Sequence, residues 1–176
     1  MRAVLPTAAF ACVLASLAVA APAGAAGTVG PKQVAKAVAV AERSRSLWAT
    51  INVCSSRSEP DDLGVRGQMP TLGFPATLTM VVQVNYWSST LKQFVAIKSA
   101  AASTTLKLGR VAMGLQQDGA VFPFSPHTGL LNASITFTWT HDGKVVGQVK
   151  RRTTAGHPSA DYGSPPHYSA AQCLIH

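Results

Sequence analysis

Acidic residues are scarce in this chain. Its 176 residues include 7 Asp and Glu against 15 Lys and Arg, which gives a formal net charge of +8 with neutral histidines. Charged residues make up only 12% of the chain, so Ser, Thr, Gln, Gly and Pro must supply much of the surface. The basic residues are not concentrated as in most nucleic-acid-binding proteins, and we expect no nucleic-acid partner. Outside the membrane, a net positive charge favours contact with anionic surfaces instead.

The sequence also lacks the common signatures of catalysis and cofactor binding. It contains no G-x-S-x-G, no G-x-x-x-x-G-K-[ST] and no G-x-G-x-x-G, which excludes the usual nucleophile elbow and phosphate-binding loops. The histidines never form H-x-x-x-H, so a zincin helix is absent as well. Glu59, Asp61 and Asp62 are the one acidic cluster, but their spacing does not match a calcium loop. We expect neither a metal nor another cofactor.

The N-terminus has the anatomy of a secretory signal. Arg2 supplies a positive start, residues 3–20 are dominated by Ala, Val and Leu, and small residues follow at once. We expect cleavage after Ala26, so that residues 1–26 are a signal peptide. The apolar run is short for a membrane span of about 20 residues. The mature protein is therefore predicted to be secreted or associated with the cell envelope, without a transmembrane span.

Cysteine is rare, with three in the chain. Cys12 leaves with the predicted signal peptide, and the remaining Cys54 and Cys173 allow a single pairing. Neither of them has a second Cys or His at metal-ligand spacing, although a metal site and two free thiols are the alternatives. In an oxidising compartment we expect a disulfide between Cys54 and Cys173. This bond would tie the first strand to the last.

Alternation of apolar and polar residues recurs along the chain and predicts β-strands. The clearest strands are residues 76–87 and 131–140, where apolar residues occupy every second position. The dipeptide Asp142-Gly143 predicts a tight hairpin turn into the next strand. Because no extended helical pattern competes, we expect a single all-β sandwich of about seven to nine strands at residues 47–176.

Other strands are predicted from weaker patterns. Residues 47–54 are expected to form the first strand, with one face in the core, and residues 168–175 the last. Residues 63–70 are interpreted as a short edge strand because glycines interrupt them and a proline ends them. The dipeptide Asp118-Gly119 predicts another turn.

Residues 27–46 are interpreted as a linker or a short helix. Val34, Ala37, Val38 and Ala41 stand at helical spacing, and a proline at residue 31 suits a first helical turn. We favour the linker, because a helix of a few turns is marginal without a partner.

A resemblance to known proteins follows from these patterns. The two-layer strand pattern, Trp139 on a core strand and the terminal disulfide resemble an immunoglobulin-like or fibronectin type III-like sandwich over about residues 47–175. The segments 46–54, 152–157 and 169–173 are also similar to exported bacterial proteins without an assigned activity. The resemblance implies a sandwich fold and supplies no catalytic residue, because function lies in the site rather than in the fold.

Our preferred hypothesis is a non-catalytic binding module. Lys150 and Arg152 share one face of a predicted strand, where they could hold an anion or simply protect a sheet edge. Tyr86 and Trp87 stand near a predicted turn and could stack on a sugar ring, although such residues more often cap the core end of a sandwich. The expected partner is an anionic polymer of the cell wall or membrane surface, or another envelope protein. A purely structural domain is a further hypothesis.

The alternative is a small secreted hydrolase with its site in the loop 155–167. His157, Asp161, Tyr162 and His167 lie in this loop, close in sequence to Ser159 and Ser169. A nucleophile, a base and an orienting carboxylate are therefore near one another along the chain. A triad is defined by geometry rather than by sequence proximity, so we expect no enzyme.

Overall fold

A computed structural model describes residues 28–124 and 128–176 of the protein. The predicted signal peptide at 1–26 lies outside the described residues. Within these residues, nine strands in two sheets confirm the prediction of an all-β sandwich domain, and one α-helix precedes the strands. The elements are α1 (Pro31–Arg43), β1 (Trp48–Cys54), β2 (Asp62–Pro70), β3 (Ala76–Ser88), β4 (Gln93–Ala96), β5 (Ser103–Val111), β6 (Leu115–Pro123), β7 (Gly129–His141), β8 (Lys144–Arg152) and β9 (Cys173–Ile175).

The strands are antiparallel in both sheets. The small sheet has the order β1-β2-β6. In the large sheet, β3 and β7 pair at the centre, β4 and β5 pair with the other side of β3, and β8 and β9 pair with the other side of β7. The two longest strands therefore form the middle of the larger layer.

The core lies between the sheets and is centred on β3 and β7. Leu78 of β3 stands opposite Trp139 of β7, and Met80 stands opposite Phe137. All four side chains are fully buried, and burial of a large apolar side chain contributes about 1.5–3 kcal/mol. The apolar side chains of both strands point into the core, as their alternation predicts, so the polar side chains between them must face outward.

Strand β2 corrects the prediction of a short edge strand at residues 63–70. It is the central strand of the small sheet, paired on both sides. Its Gly67 faces the large sheet, where a Cβ atom would lie only 2.7 Å from Ile135 Cδ1. The glycine therefore marks a close approach of the two sheets rather than a weak strand.

The predicted turn at Asp118-Gly119 is wrong. Both residues lie inside β6, where Asp118 pairs with Gly67 and Gly119 pairs with Arg66. The chain instead reverses before β6, at Gly114, which has a φ of +99°. A glycine there supplies the left-handed backbone conformation that a turn requires.

Helix α1 corrects the preferred interpretation of residues 27–46 as a linker. Val38 and Ala41 are buried, and α1 packs against β8. Gly147 of β8 makes room for the helix, since a Cβ atom there would lie 2.5 Å from Val38 Cγ1. Arg151 Nη2 also donates a hydrogen bond of 2.6 Å to the carbonyl oxygen of Glu42. Tertiary contacts thus stabilise a helix that would be marginal alone.

The predicted disulfide is present and links the two sheets. Cys54 ends β1 in the small sheet, and Cys173 begins β9 in the large sheet, with 5.5 Å between their Cα atoms. The last strand is shorter than predicted, but Ala170 forms an isolated antiparallel bridge with Ile51 of β1. The two ends of the domain are therefore joined by a covalent bond and by backbone hydrogen bonds.

Both faces of β1 are buried, which corrects the expectation of one buried face. The loop 155–167 lies across its outer side. Asn52 Nδ2 donates hydrogen bonds to the carbonyl oxygens of Asp161 and Tyr162, at 2.9 and 3.1 Å. The indole of Trp48 stacks on the ring of His157 with 4.6 Å between centroids. The loop thus covers the β1 side of the outer face of the small sheet, whereas Leu115 and Val121 of β6 stay exposed.

Candidate functional site

The outer face of the large sheet is an extended polar surface. Because residues directly opposite each other in a sheet point to the same side, the strand register identifies the outward positions. They are Thr77, Thr79, Val81, Gln83, Asn85 and Trp87 of β3, Phe94 and Ala96 of β4, Ser103, Thr105, Lys107 and Arg110 of β5, Leu130, Asn132, Ser134, Thr136, Thr138 and Thr140 of β7, Val145, Gln148, Lys150 and Arg152 of β8, and Leu174 of β9. We call this surface the basic face.

The basic face carries four cations and no carboxylate among these outward positions. Lys107 and Arg110 lie on β5 at one edge of the sheet, and Lys150 and Arg152 lie on β8 at the other. All four are exposed, and none forms a salt bridge with a described carboxylate. Because the electrostatic potentials of the four cations add, this surface attracts anions.

A groove of about 360 Å³ lies in the basic face. Phe94 and Ala96 of β4 form one wall, and Lys150 and Arg152 of β8 form the other. The strands β3 and β7 lie between β4 and β8, so three inter-strand spacings of ~4.8 Å place the walls about 14 Å apart. The floor comes from the central strands and consists of Asn85, Asn132 and Ser134. One wall is thus apolar, the other is cationic, and the floor is polar.

The floor of the groove holds polar groups that are buried by the taller walls. Asn85, Asn132 and Ser134 are 8%, 5% and 2% exposed. Asn85 Nδ2 donates a hydrogen bond of 2.9 Å to Asn132 Oδ1 across β3 and β7. The hydroxyl oxygen of Ser134 has no hydrogen-bond partner in the described part of the chain. A buried polar group without a partner costs about 1–3 kcal/mol, so a ligand hydroxyl that supplied one would be stabilised here.

The structure brings together three of the four binding residues predicted from the sequence. Lys150 and Arg152 form a wall of the groove. Trp87 lies edge-on against Phe94 of the opposite wall, with 5.3 Å between ring centroids. Tyr86 points to the other side of β3 and lines a separate, mostly apolar cavity of about 510 Å³. It therefore takes no part in the groove.

The floor of the groove and the second pair of cations were not predicted from the sequence. Asn85 and Asn132 stand on the polar phase of two predicted strands, but their contact joins positions 47 residues apart. Asn132 begins an Asn-Ala-Ser sequence that matches a glycosylation acceptor. Its buried side chain and its bond to Asn85 give it a structural place in the floor instead.

The residues of the hydrolase hypothesis are not arranged as a triad. His157 Nε2 lies 2.9 Å from Thr154 Oγ1, and the hydroxyl of Ser169 lies 2.7 Å from Thr50 Oγ1. Ser169 Oγ also accepts a hydrogen bond from the backbone N–H of His157. Within residues 28–124 and 128–176, no serine hydroxyl is hydrogen-bonded to a histidine ring. These side chains hold the loop 155–167 against β1.

The position of His157 predicts a pH dependence of stability. Burial lowers the pKa of His157 below its ordinary value of 6.5, because desolvation disfavours the charged ring. The unfolded chain therefore binds this proton at a higher pH than the folded chain does. The contribution of neutral His157 to the free energy of unfolding is therefore fully present above pH 6.5 and decreases as the pH falls below that value.

Urea unfolding between about pH 5 and pH 7.5 measures this effect, since histidine is the side chain that ordinarily titrates there. The midpoint of the wild-type protein should fall towards the acidic end, and His157→Gln should fall less. Identical pH profiles for the two proteins would contradict the assignment.

Neither a metal centre nor a membrane helix is found in the described residues. Over 28–124 and 128–176, no three His, Cys, Asp or Glu side chains are placed to hold a metal ion together. No helix in the same residues is long and apolar enough to cross a bilayer.

Comparison with known proteins assigns no family. No family model matches the sequence, and no curated protein is significantly similar to it. Among solved structures, 63% of the chain aligns with a glycosyl hydrolase family 2 member from Bacteroides cellulosilyticus DSM 14838, at 11% identity and a TM-score of 0.34. A "putative beta-galactosidase" from Bacteroides fragilis aligns with 64% of the chain, at 16% identity and a TM-score of 0.31.

The chain spans only 15% and 17% of the lengths of these two bacterial structures. At such low TM-scores, neither neighbour assigns an activity or a ligand to it. The resemblance to immunoglobulin-like or fibronectin type III-like sandwiches stays a prediction, whereas the β-sandwich itself is seen directly in the two sheets.

Proposed function

We propose that this protein is an extracytoplasmic, non-catalytic binding module that holds an anionic polymer on its basic face. The observation that best supports this proposal is the charge of that face, which carries four exposed cations and no carboxylate among its outward strand positions. The disulfide is compatible with an oxidising compartment outside the cytoplasm. A polymer of the cell wall or of the membrane surface is the proposed partner.

The spacing of the cations favours a long ligand over a single small ion. Through the strand register, Arg110 of β5 is level with Thr77 of β3, and Arg152 of β8 is level with Gln83, six residues further along β3. At about 3.3 Å per residue, this separation is about 20 Å along the strand. A chain of linked anionic units can contact both pairs of cations at once, and each contact raises the effective concentration of the next.

Replacement of the two β8 cations tests the proposal. We expect the double variant Lys150→Gln/Arg152→Gln to bind polyanions on the order of tenfold more weakly at low salt, because two charge-assisted contacts are lost. Binding of the wild-type protein should also weaken as salt rises, through screening of exposed charges. The measurement is a titration with polygalacturonate and with long-chain polyphosphate at several salt concentrations.

A matched control comes from helix α1. Lys32 and Lys36 are both exposed and lie away from the basic face, so Lys32→Gln/Lys36→Gln removes the same net charge. This variant should retain nearly full binding. Equal losses in the two double variants would show that only net charge matters, and the basic face would then not be the site.

A further inference from the structure

We infer that the groove selects a sugar unit that carries a carboxylate, so that the polymer on the basic face is an acidic polysaccharide. This inference rests on the proposed function and names its ligand class. A cationic wall alone would hold a phosphate polymer equally well. The other two parts of the groove, the apolar wall and the polar floor, distinguish the ligand.

The apolar wall fits one face of a sugar ring. Phe94 lines the groove, and its ring is held edge-on by Trp87, at 5.3 Å and 67° between the planes. A pyranose has an apolar face of C–H groups that packs on an aromatic ring, whereas a chain of phosphates has no such face. The support from Trp87 fixes the ring of Phe94 before a ligand arrives, which lowers the entropic cost of binding.

The floor fits hydroxyl groups. The buried Ser134 hydroxyl lacks a partner among the described residues, and it stands opposite Arg152 in the strand register. Asn85 and Asn132 use one donor and one acceptor on each other, which leaves an amide oxygen on Asn85 and amide hydrogens on Asn132. Neutral hydroxyls can both donate and accept, so they match this mixed set better than phosphate oxygens, which only accept.

The walls and floor together place the parts of the ligand. A ring that packs on Phe94 would place its hydroxyls over the floor formed by Asn85, Asn132 and Ser134. Because the walls stand about 14 Å apart, the next units of the same polymer would reach β8. A carboxylate on such a unit would meet Lys150 and Arg152, and Arg binds a carboxylate through two parallel hydrogen bonds. The cavity of about 360 Å³ falls within the range of small-ligand sites, roughly 300–1,000 Å³.

The test compares polygalacturonate with polyphosphate at matched charge and salt. We expect the wild-type protein to bind polygalacturonate about tenfold more tightly. Phe94→Ala should lose most of this preference, because stacking contributes only to the sugar polymer. Tyr86→Ala is the matched control, since it removes an exposed aromatic ring that lies outside the groove, and it should keep the preference.

Ser134→Ala separates a binding role from a structural one. Because the Ser134 hydroxyl has no partner to lose, the variant should melt at the same or a higher temperature than the wild-type protein. Its affinity for polygalacturonate should nevertheless fall about three- to tenfold, the effect of one lost hydrogen bond. A lower melting temperature with unchanged affinity would overturn the role of the floor.

The outcomes distinguish the two proposals. If polyphosphate binds as tightly as polygalacturonate and Phe94→Ala affects both equally, the inference of an acidic sugar is wrong. The proposal that the basic face binds an anionic polymer is then unaffected. If neither polymer binds, both proposals fall. If polygalacturonate whose carboxylates have been reduced to alcohols binds as well as the acid form, the role of Lys150 and Arg152 in recognising the sugar is wrong.

Discussion

Replacement of both Cys54 and Cys173 by serine is expected to lower the free energy of unfolding by about 2–5 kcal/mol. The bond closes a loop between residues 119 positions apart, and a long loop restricts the unfolded chain more than a short one does. It also joins the small sheet to the large one at the end of β1. Loss of the bond therefore adds entropy to the unfolded state and removes a direct link between the sheets.

Chemical denaturation of the purified protein measures this effect. The double serine variant should unfold at a clearly lower denaturant concentration than the wild-type protein. Wild-type protein held under reducing conditions should match the variant, which controls for the serine side chains themselves. Equal midpoints for oxidised wild type and variant would contradict a stabilising role of the bond.

Gly119→Ala is expected to cost about 3 kcal/mol or more, at the upper end of the range for overpacking. A Cβ atom at this position would lie 2.3 Å from the carbonyl oxygen of Val65 and 3.1 Å from Arg66 Cα. Both are backbone atoms of the paired strand β2, so no rotation of a side chain relieves the contact. The pairing between β2 and β6 must open or shift.

Thermal unfolding and amide hydrogen exchange test this prediction together. The melting temperature should fall, and the amides of β6 should lose protection first. Gly30→Ala is the matched control, because a Cβ atom at Gly30 would meet nothing within 4 Å. The change should cost no more than about 1 kcal/mol, the difference between glycine and alanine at a helix N-cap. A melting temperature unchanged by Gly119→Ala would show that the strands can separate at little cost.

The sequence predicted those features that depend on local alternation and local turn chemistry. β3 and β7 follow the predicted period because one face of each is buried. The turn between β7 and β8 was predicted correctly at Asp142-Gly143, where both residues have positive φ, at 48° and 75°. Such backbone conformations are encoded by the two residues themselves.

Apart from the disulfide, features that depend on distant neighbours were not predicted. Asp118-Gly119 has the same composition as the true turn, but this glycine is required by the nearby backbone of β2. Helix α1 is stabilised by Gly147, more than a hundred residues away, in the same manner. Neither contact leaves a periodic signal in the sequence, so the pattern alone favoured a turn and a linker.

The candidate site was predicted in part for the same reason. Lys150 and Arg152 share a face by simple alternation, and they form one wall of the groove. Asn85 comes together with Asn132 and Ser134 only through the pairing of β3 with β7. That pairing could not be derived from the spacing of any motif.

The loop 155–167 has a consequence for valency. It occupies the outer side of the small sheet through hydrogen bonds from Asn52 and Gln117. In the described part of the chain, the large sheet thus keeps its outer surface open, whereas the small sheet is covered on its β1 side. Under the proposed function, a monomer with one open face would line one strand of a polymer rather than crosslink two, so copies of it would coat a polysaccharide without gelling it.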